Sequence, residues 1–314
     1  MKAVISNEYG SASVLQYTSV EKPIPKTNQL LVKIHATSIN PIDWKIRKGL
    51  LKLFTANKFP MILGFDISGE VVEVGNSVTR FQPKDQIYAY LNSFPGGAYA
   101  EYAVVFEQAT CLKPSNMTHT QAAAVPLAAL TALQALRDGG KIQQGHHVLI
   151  NGSSGGVGSF AVQIAKALLA EVTAVCSTKN VELVKSLGAD RIIDYKIQDF
   201  TQDKAKYDIV FNTVADQSFS RCKRILKPNG VYLTTLPTAE GFVQSFLTSV
   251  MPGKKAKLIM VKPSGKDLAY LKKLIEVDKI RSLIEQTYPL LEVAKAHSIS
   301  EQGHVVGKLA ITVP

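Results

Sequence analysis

The chain has 314 residues, 46% of them apolar and 19% charged, with a formal net charge of +11. These figures exclude a disordered or fibrous chain and describe a globular one long enough for two domains. Cys111, Cys176 and Cys222 are the three cysteines. An odd, scattered set makes neither a disulfide framework nor a zinc knuckle, and the expectation is a reducing, cytoplasmic setting.

The positive charge is dispersed. Local clusters occur only near residues 45–52, 223–227 and 254–262, with no arginine-rich arm or aromatic–basic RNA motif. The reading is a general attraction for anionic cofactors rather than a nucleic-acid partner. Met1-Lys2-Ala3-Val4-Ile5 enters a strand-like pattern with no signal peptide visible. The most apolar region, 122–136, is broken by Pro126 and Thr131 and is too short to span a bilayer.

In chain order, residues up to about 120 read as β-rich. Segments 1–6, 29–37, 67–74 and 99–105 carry β-branched alternation, and turns such as Gly75-Asn76 and Pro83-Lys84-Asp85 separate such segments. Antiparallel sheet or a small, partly open barrel is expected. Residues 121–136 are alanine-rich and read as a helix. Strands at 148–150, 172–176, 191–194, 208–212, 231–235 and 256–261 then alternate with helices at 156–169, 180–187, 217–226 and 242–250. That alternation predicts a doubly wound parallel sheet. After 262 come helices at 267–277 and 291–298 and a strand at 308–313, too little for a further domain and expected to complete the N-terminal unit.

The stretch Asn151-Gly152-Ser153-Ser154-Gly155-Gly156-Val157-Gly158 follows the apolar strand at 148–150 and opens a helical pattern. At such a turn the first helical N–H groups lack internal partners and the helix dipole favours negative charge. Gly155 allows a pyrophosphate to approach, and Gly158 allows the helix to pack on the strand. The first position of the G-x-G-x-x-G pattern is Ser153, a small residue that still fits. The dinucleotide-site residues are thus Ser153, Gly155, Gly156, Val157 and Gly158; the bland alternative is a tight structural turn.

The second strand of such folds faces the adenosine ribose, and NAD enzymes usually place Asp or Glu there. Here it ends in Cys176-Ser177-Thr178-Lys179-Asn180. Hydroxyls and an ammonium suit a 2′-phosphate, which a carboxylate would repel. Ser177, Thr178 and Lys179 therefore point to NADPH rather than NADH. Ser177 and Thr178 could also cap the helix starting near Val181.

Several motifs stand in register along essentially the whole chain: Asn40-Pro41-Ile42-Asp43, Gly64-Phe65-Asp66-Ile67-Ser68-Gly69-Glu70-Val71, Gly96-Gly97-Ala98-Tyr99-Ala100-Glu101-Tyr102, Leu130-Thr131-Ala132 and Gly303-His304-Val305-Val306-Gly307-Lys308. With them the sequence resembles the zinc-independent quinone oxidoreductases of the medium-chain dehydrogenase/reductase superfamily, the zeta-crystallin-like family. The resemblance implies a GroES-like catalytic domain over 1–121, a Rossmann NADPH-binding domain over 122–262, a returning catalytic segment over 263–314, and a homodimer. It also implies 2′-phosphate contacts from Lys179 and Tyr195, Thr131 near the nicotinamide, and Asn40 and Asp43 in the catalytic cleft. Asn40, Asp43 and Thr131 are the catalytic candidates, although Asn40 could equally orient its loop. Asp66 is expected only to bond backbone within the turn 64–69, and Trp44 to pack near the cleft mouth.

No metal is expected. Where zinc relatives carry Gly-His-Glu, this chain has Gly64-Phe65-Asp66, and Phe65 cannot ligate. No thiol lies in 40–43, and the four-cysteine lobe is missing. Ketone reduction concentrates charge on one oxygen, which zinc normally stabilises. Hydride addition to the β-carbon of an enone spreads that charge into an enolate, which hydrogen bonds can carry. The expected activity is NADPH-dependent reduction of a quinone or of the C=C bond of an α,β-unsaturated carbonyl. The alternative is an NADPH-binding, non-catalytic protein with a structural or RNA-binding role.

Overall fold

The computed structural model describes residues 1–55, 58–214, 216–235 and 239–314. In chain order the elements are β1 (Lys2–Ser6), β2 (Leu15–Ser19), β3 (Gln29–Ser38), α1 (Pro41–Arg47), α2 (Lys52–Thr55), β4 (Met61–Ile62), β5 (Asp66–Val74), β6 (Gln86–Tyr90), β7 (Tyr102–Phe106), β8 (Thr110–Leu112), α3 (His119–Ala123) and α4 (Pro126–Gln134). There follow β9 (His147–Asn151), α5 (Gly156–Ala167), β10 (Glu171–Cys176), α6 (Val181–Ser186), β11 (Arg191–Asp194), β12 (Tyr207–Asn212), α7 (Phe219–Cys222), β13 (Leu226–Thr234), α8 (Ala239–Val250) and β14 (Lys255–Leu258). The chain closes with α9 (Gly265–Glu276), β15 (Ile284–Pro289), α10 (Val293–Glu301) and β16 (Lys308–Thr312).

Two compact units form. One joins Met1–Leu130 to Lys262–Pro314; the other is Thr131–Val261. The first boundary falls inside α4 rather than at residue 121.

The first unit is a mixed sheet in the order β15-β16-β3-β5-β6-β8, with β7 also on β3, and a separate sheet β2-β1-β4. β3 is central: Leu30, Leu31, Val32, Ile34 and Ala36 are all buried, so both its faces are covered. Its start pairs with β7 and its end with β16, through Ser38 opposite Ala310. The C-terminal return is thus a structural part of this unit. It brings Lys308 to the end of β3, where the chain turns into α1.

The second unit is a six-stranded sheet, β11-β10-β9-β12-β13-β14, with every pairing parallel. This is the doubly wound order, and it places the turn after β9 at the switch point where ligands bind in such sheets. Short apolar runs suit strands buried on both faces: Leu149, Val175 and Val210 meet Phe200, Ile225 and Tyr232 in one cluster.

The expected helix over 121–136 is divided. Pro126 has no N–H to continue a helix, so α3 ends and α4 begins there, and the last turn, Ala135–Gly139, widens into a π-helix. Among the described residues no helix is long and apolar enough to cross a membrane.

Candidate functional site

The glycine turn forms a cradle. β9 ends at Asn151, and Gly152 takes φ +79°, a conformation that favours glycine. Its carbonyl accepts the Gly155 N–H at 3.0 Å. A Cβ on Gly158 would lie 2.1 Å from the Gly152 oxygen, so only glycine lets α5 pack this close to the turn. A Cβ on Gly155 would meet nothing nearer than the Gly152 oxygen at 3.4 Å, so space lies beside the helix start. Gly155 is the N-cap and no side chain caps α5. The N–H groups of Gly156, Val157 and Gly158 thus open the helix without a side-chain acceptor, as an anion site requires. The cradle that a Cβ would fill fits a dinucleotide pyrophosphate.

Ser153 plays a different part from the one expected. It is fully buried; its hydroxyl donates to the Ile150 carbonyl at 2.7 Å and accepts the Val175 N–H at 3.2 Å, while its own N–H goes to the Val175 carbonyl. It staples the turn to β10 and offers no donor to a ligand. The residues the sequence did not single out are Ser154 and Asn180. Asn180 Nδ2 donates to Ser154 Oγ at 2.9 Å and to Ser177 Oγ at 3.3 Å, tying the glycine turn to the end of β10.

At that end Ser177 is almost buried, Thr178 and Lys179 are exposed, and Tyr195 is half-exposed. Neither Ser177 nor Thr178 caps α6. Thr178 instead donates to Asp194 Oδ2 at 2.5 Å, and the Lys196 N–H donates to Oδ1 at 2.9 Å. Those bonds hold the Asp194 carboxyl below its ordinary range. Asp194 pairs across the sheet with Cys176, so a carboxylate stands beside the predicted phosphate contacts, on the third strand rather than the second. Lys179 has no carboxylate partner among the described residues. Thr131 is buried on α4.

The first unit holds a buried polar network. Asn40 is the N-cap of α1, with Pro41 next. The Asn40 N–H donates to Asp43 Oδ2 at 2.7 Å, the N-capping contact that anionic residues make in a first turn. Tyr99 also donates to Asp43 Oδ2, at 2.7 Å, while Oδ1 is buried without a partner. Burial pushes the Asp43 carboxyl up to about 7, against the pull of those two hydrogen bonds. His297 lies behind Tyr99, Nε2 to Oη 3.1 Å, and its Nδ1 accepts from Arg47 Nε at 3.3 Å. A guanidinium only donates, so the neutral ring carries its hydrogen on Nε2 and donates to Tyr99. Burial lowers the His297 pKa to about 3, with the Arg47 charge adding to the shift. Arg47 is anchored in turn by Glu301 and the Gly10 carbonyl.

Asp66 departs from expectation. Its acceptors do not serve the turn 64–69. Oδ2 takes the Ser38 hydroxyl at 2.7 Å and Asn40 Nδ2 at 2.8 Å, and Oδ1 takes the Leu127 N–H of α4 at 2.7 Å. Lys308 Nζ lies 3.6 Å from Oδ2. Asn40 and Asp43 are both buried, engaged in this network. Trp44 is half-buried, with Lys45 and Lys48 over its ring. Phe65 packs its ring 5.9 Å from Tyr90 and 6.2 Å from Phe94.

Comparison with known proteins agrees over the whole length. Residues 26–115 match the alcohol dehydrogenase GroES-like domain, and residues 187–311 match the zinc-binding dehydrogenase model. The chain is 36% identical to the chloroplast envelope quinone oxidoreductase homolog of Arabidopsis thaliana, covering 99% of this chain and 98% of that one. It is 35% identical to the 2-methylene-furan-3-one reductase of Solanum lycopersicum, over 99% and 79% respectively. The structure of the quinone oxidoreductase from Coxiella burnetii superposes with a TM-score of 0.90 at 34% identity, covering 100% and 99%. With that agreement and the glycine cradle at the switch point of its parallel sheet, the chain belongs to the quinone oxidoreductase family of the medium-chain dehydrogenase/reductase superfamily.

Proposed function

We propose that this protein is an NADPH-dependent oxidoreductase that reduces quinones or the C=C bond of α,β-unsaturated carbonyls without zinc. The observation that carries the reading is the open helix start at Gly155–Gly158, shaped by the stapled Ser153. Its N–H groups would hold the pyrophosphate. Lys179, Tyr195 and the Ser177 hydroxyl would take the 2′-phosphate. Thr178 contributes less, because Asp194 already takes its hydrogen. Thr131 would lie by the nicotinamide. When bound, NADPH supplies hydride to the substrate carbon. Asn40 and Asp43 belong to the substrate side, Asn40 as a hydrogen-bond donor and Asp43 by holding the start of α1 in place. Donors of this kind suffice for charge spread over an enolate. A buried Phe65 in place of an imidazole supports the zinc-free reading.

A homodimer fits one further feature. α8 faces the wrong way for a surface helix: Phe242, Phe246 and Val250 are exposed, while Thr248 turns inward and accepts the Ala256 N–H at 3.0 Å. It packs on β14, the edge strand. An apolar stripe beside an open edge is a surface that needs covering, and we assign it to the partner subunit.

The test is turnover of NADPH with a short enone, a small quinone and a saturated ketone of matching shape. Oxidation with the first two only, and deuterium from C4 of the cofactor appearing at the enone β-carbon, is the expected outcome. Label at a carbonyl carbon would return the protein to alcohol dehydrogenase chemistry. Tight NADPH binding without turnover on any electrophile would leave only a binding role.

A further inference from the structure

We propose that Asp66 and Lys308 are positioning residues, a buried pair that fixes the Asn40 carboxamide so that it acts as a hydrogen-bond donor and ties it to α4. The consequence for catalysis rests on the function proposed above; the orientation itself does not.

Lys308 opens β16 and is 4% exposed. An ammonium has three donors and no acceptor. Lys308 directs its donors at the Ile39 carbonyl, 2.9 Å away, at Asn40 Oδ1 and at Asp66. The Asn40 atom facing Lys308 must therefore be oxygen. The atom facing the Asp66 carboxylate must be nitrogen, because a carboxylate only accepts. The two charges thus dictate the amide orientation from both sides, and a flipped amide would set N–H against ammonium and C=O against carboxylate. One N–H of Nδ2 is spent on Asp66, and the second has no acceptor among the described residues.

Asp66 extends the restraint. Its other oxygen takes the Leu127 N–H near the start of α4, the helix that runs on to Thr131 one turn later. One carboxylate therefore holds both Asn40 and the first turn of α4.

Stability alone gives little reason for such a pair. Desolvating two charges is expensive, and well-packed apolar residues of similar volume often serve as well. A pair whose polar atoms converge on one amide has its use in orientation.

The experiment uses the full chain and the variants Asn40→Ala, Lys308→Met and Asp66→Asn/Lys308→Met. It reads kcat with an enone, NADPH Kd by cofactor fluorescence, melting temperature, and the Asn40 side-chain amide signals in a 15N–1H spectrum, assigned by their loss in Asn40→Ala. Asn40→Ala should lower kcat about a hundredfold, as loss of a donor to developing charge does, with NADPH Kd moving by less than about threefold. Lys308→Met should come within about tenfold of that kcat loss and shift the Asn40 amide signals. The double variant should melt closer to wild type than Lys308→Met does, yet keep the kcat loss. Any one of three results overturns the proposal: wild-type kcat in Asn40→Ala or Lys308→Met, recovery of kcat together with melting temperature in the double variant, or unmoved Asn40 signals in Lys308→Met. If the wild type turns over no electrophile, the proposed function fails; the amide signals then decide the orientation alone, moved in support and unmoved against.

Discussion

The chain Asp43–Tyr99–His297 makes a quantitative prediction about pH. Asp43 and His297 are both fully buried, and burial keeps each neutral. In the unfolded chain a carboxyl ionises from its ordinary value of 3.8, whereas folded Asp43 holds its proton to about 7. Between those values the folded state binds more protons, so this group's contribution to stability falls as pH rises. His297 acts the other way. Unfolded, the ring takes a proton below 6.5; folded, it stays neutral down to about 3. Between those values the unfolded state binds more protons, and stability falls as pH falls. Each pH unit is worth about 1.4 kcal/mol, so the full spans are about 4 kcal/mol for Asp43 and about 5 kcal/mol for His297. From pH 4.5 to 6.5 the two slopes oppose and nearly cancel. Asp43→Asn keeps an acceptor for Tyr99 but removes one slope, so that variant should lose about 3 kcal/mol, relative to wild type, on going from pH 6.5 to 4.5. His297→Gln should lose about as much in the other direction. Urea unfolding followed by Trp44 reads this directly, because the only tryptophan lies on α1 beside Asp43. His119, whose pKa is lowered to about 4, also titrates in this range but is common to all three proteins. Profiles of both variants running parallel to wild type would refute the reasoning.

Two glycine substitutions should separate folding from binding. Gly158→Ala forces a Cβ to 2.1 Å from the Gly152 oxygen and should cost about 3 kcal/mol in thermal or urea unfolding. Gly155→Ala finds room within the protein and should fold normally, yet weaken dinucleotide binding by at least about tenfold by filling the cradle. Lys179→Ala should weaken NADPH by about ten- to a hundredfold, the worth of a charged hydrogen bond, and spare NADH by titration of cofactor fluorescence. Elemental analysis should find no stoichiometric zinc in the purified protein, and chelator should leave turnover intact; one tightly held equivalent whose removal stops turnover would contradict the assignment from Phe65.

The second unit was legible because its signals are local. Strand runs such as 148–150 and the helix period after Gly156 lie in consecutive residues, and the glycine turn sits where they meet. Asp194 was legible too, for a reader who aligned strand ends: in a parallel sheet the end of β11 must stand beside the end of β10. β15 was missed for a physical reason. Glu285, Gln286 and Thr287 are exposed on an edge strand, so the alternation that marks a half-buried strand is absent. The helical period over 242–250 predicts a helix, but the period alone does not show that the apolar side faces outward.

The buried polar network around Asn40 shows why the remainder resisted. Its members come from the end of β3, the first turn of α1, the start of β5, the segment before β7, α10 and the start of β16, and no window of sequence holds more than a few of them. Asp66 read locally as a turn residue because its neighbours are glycines at 64 and 69; its partners are Ser38, Asn40 and Leu127. Lys308 read as one lysine of many in a basic chain, and its burial is visible only once β16 lies against β3. Sequence places a charge, but its value depends on what the fold brings to it. A lysine in water is a solvated cation, whereas one sealed against an amide oxygen and a carboxylate determines which way that amide can point. The long C-terminal return is what delivers that cation, so the last strand of the chain is as much a part of the buried network as the Asn40 motif at the start of α1.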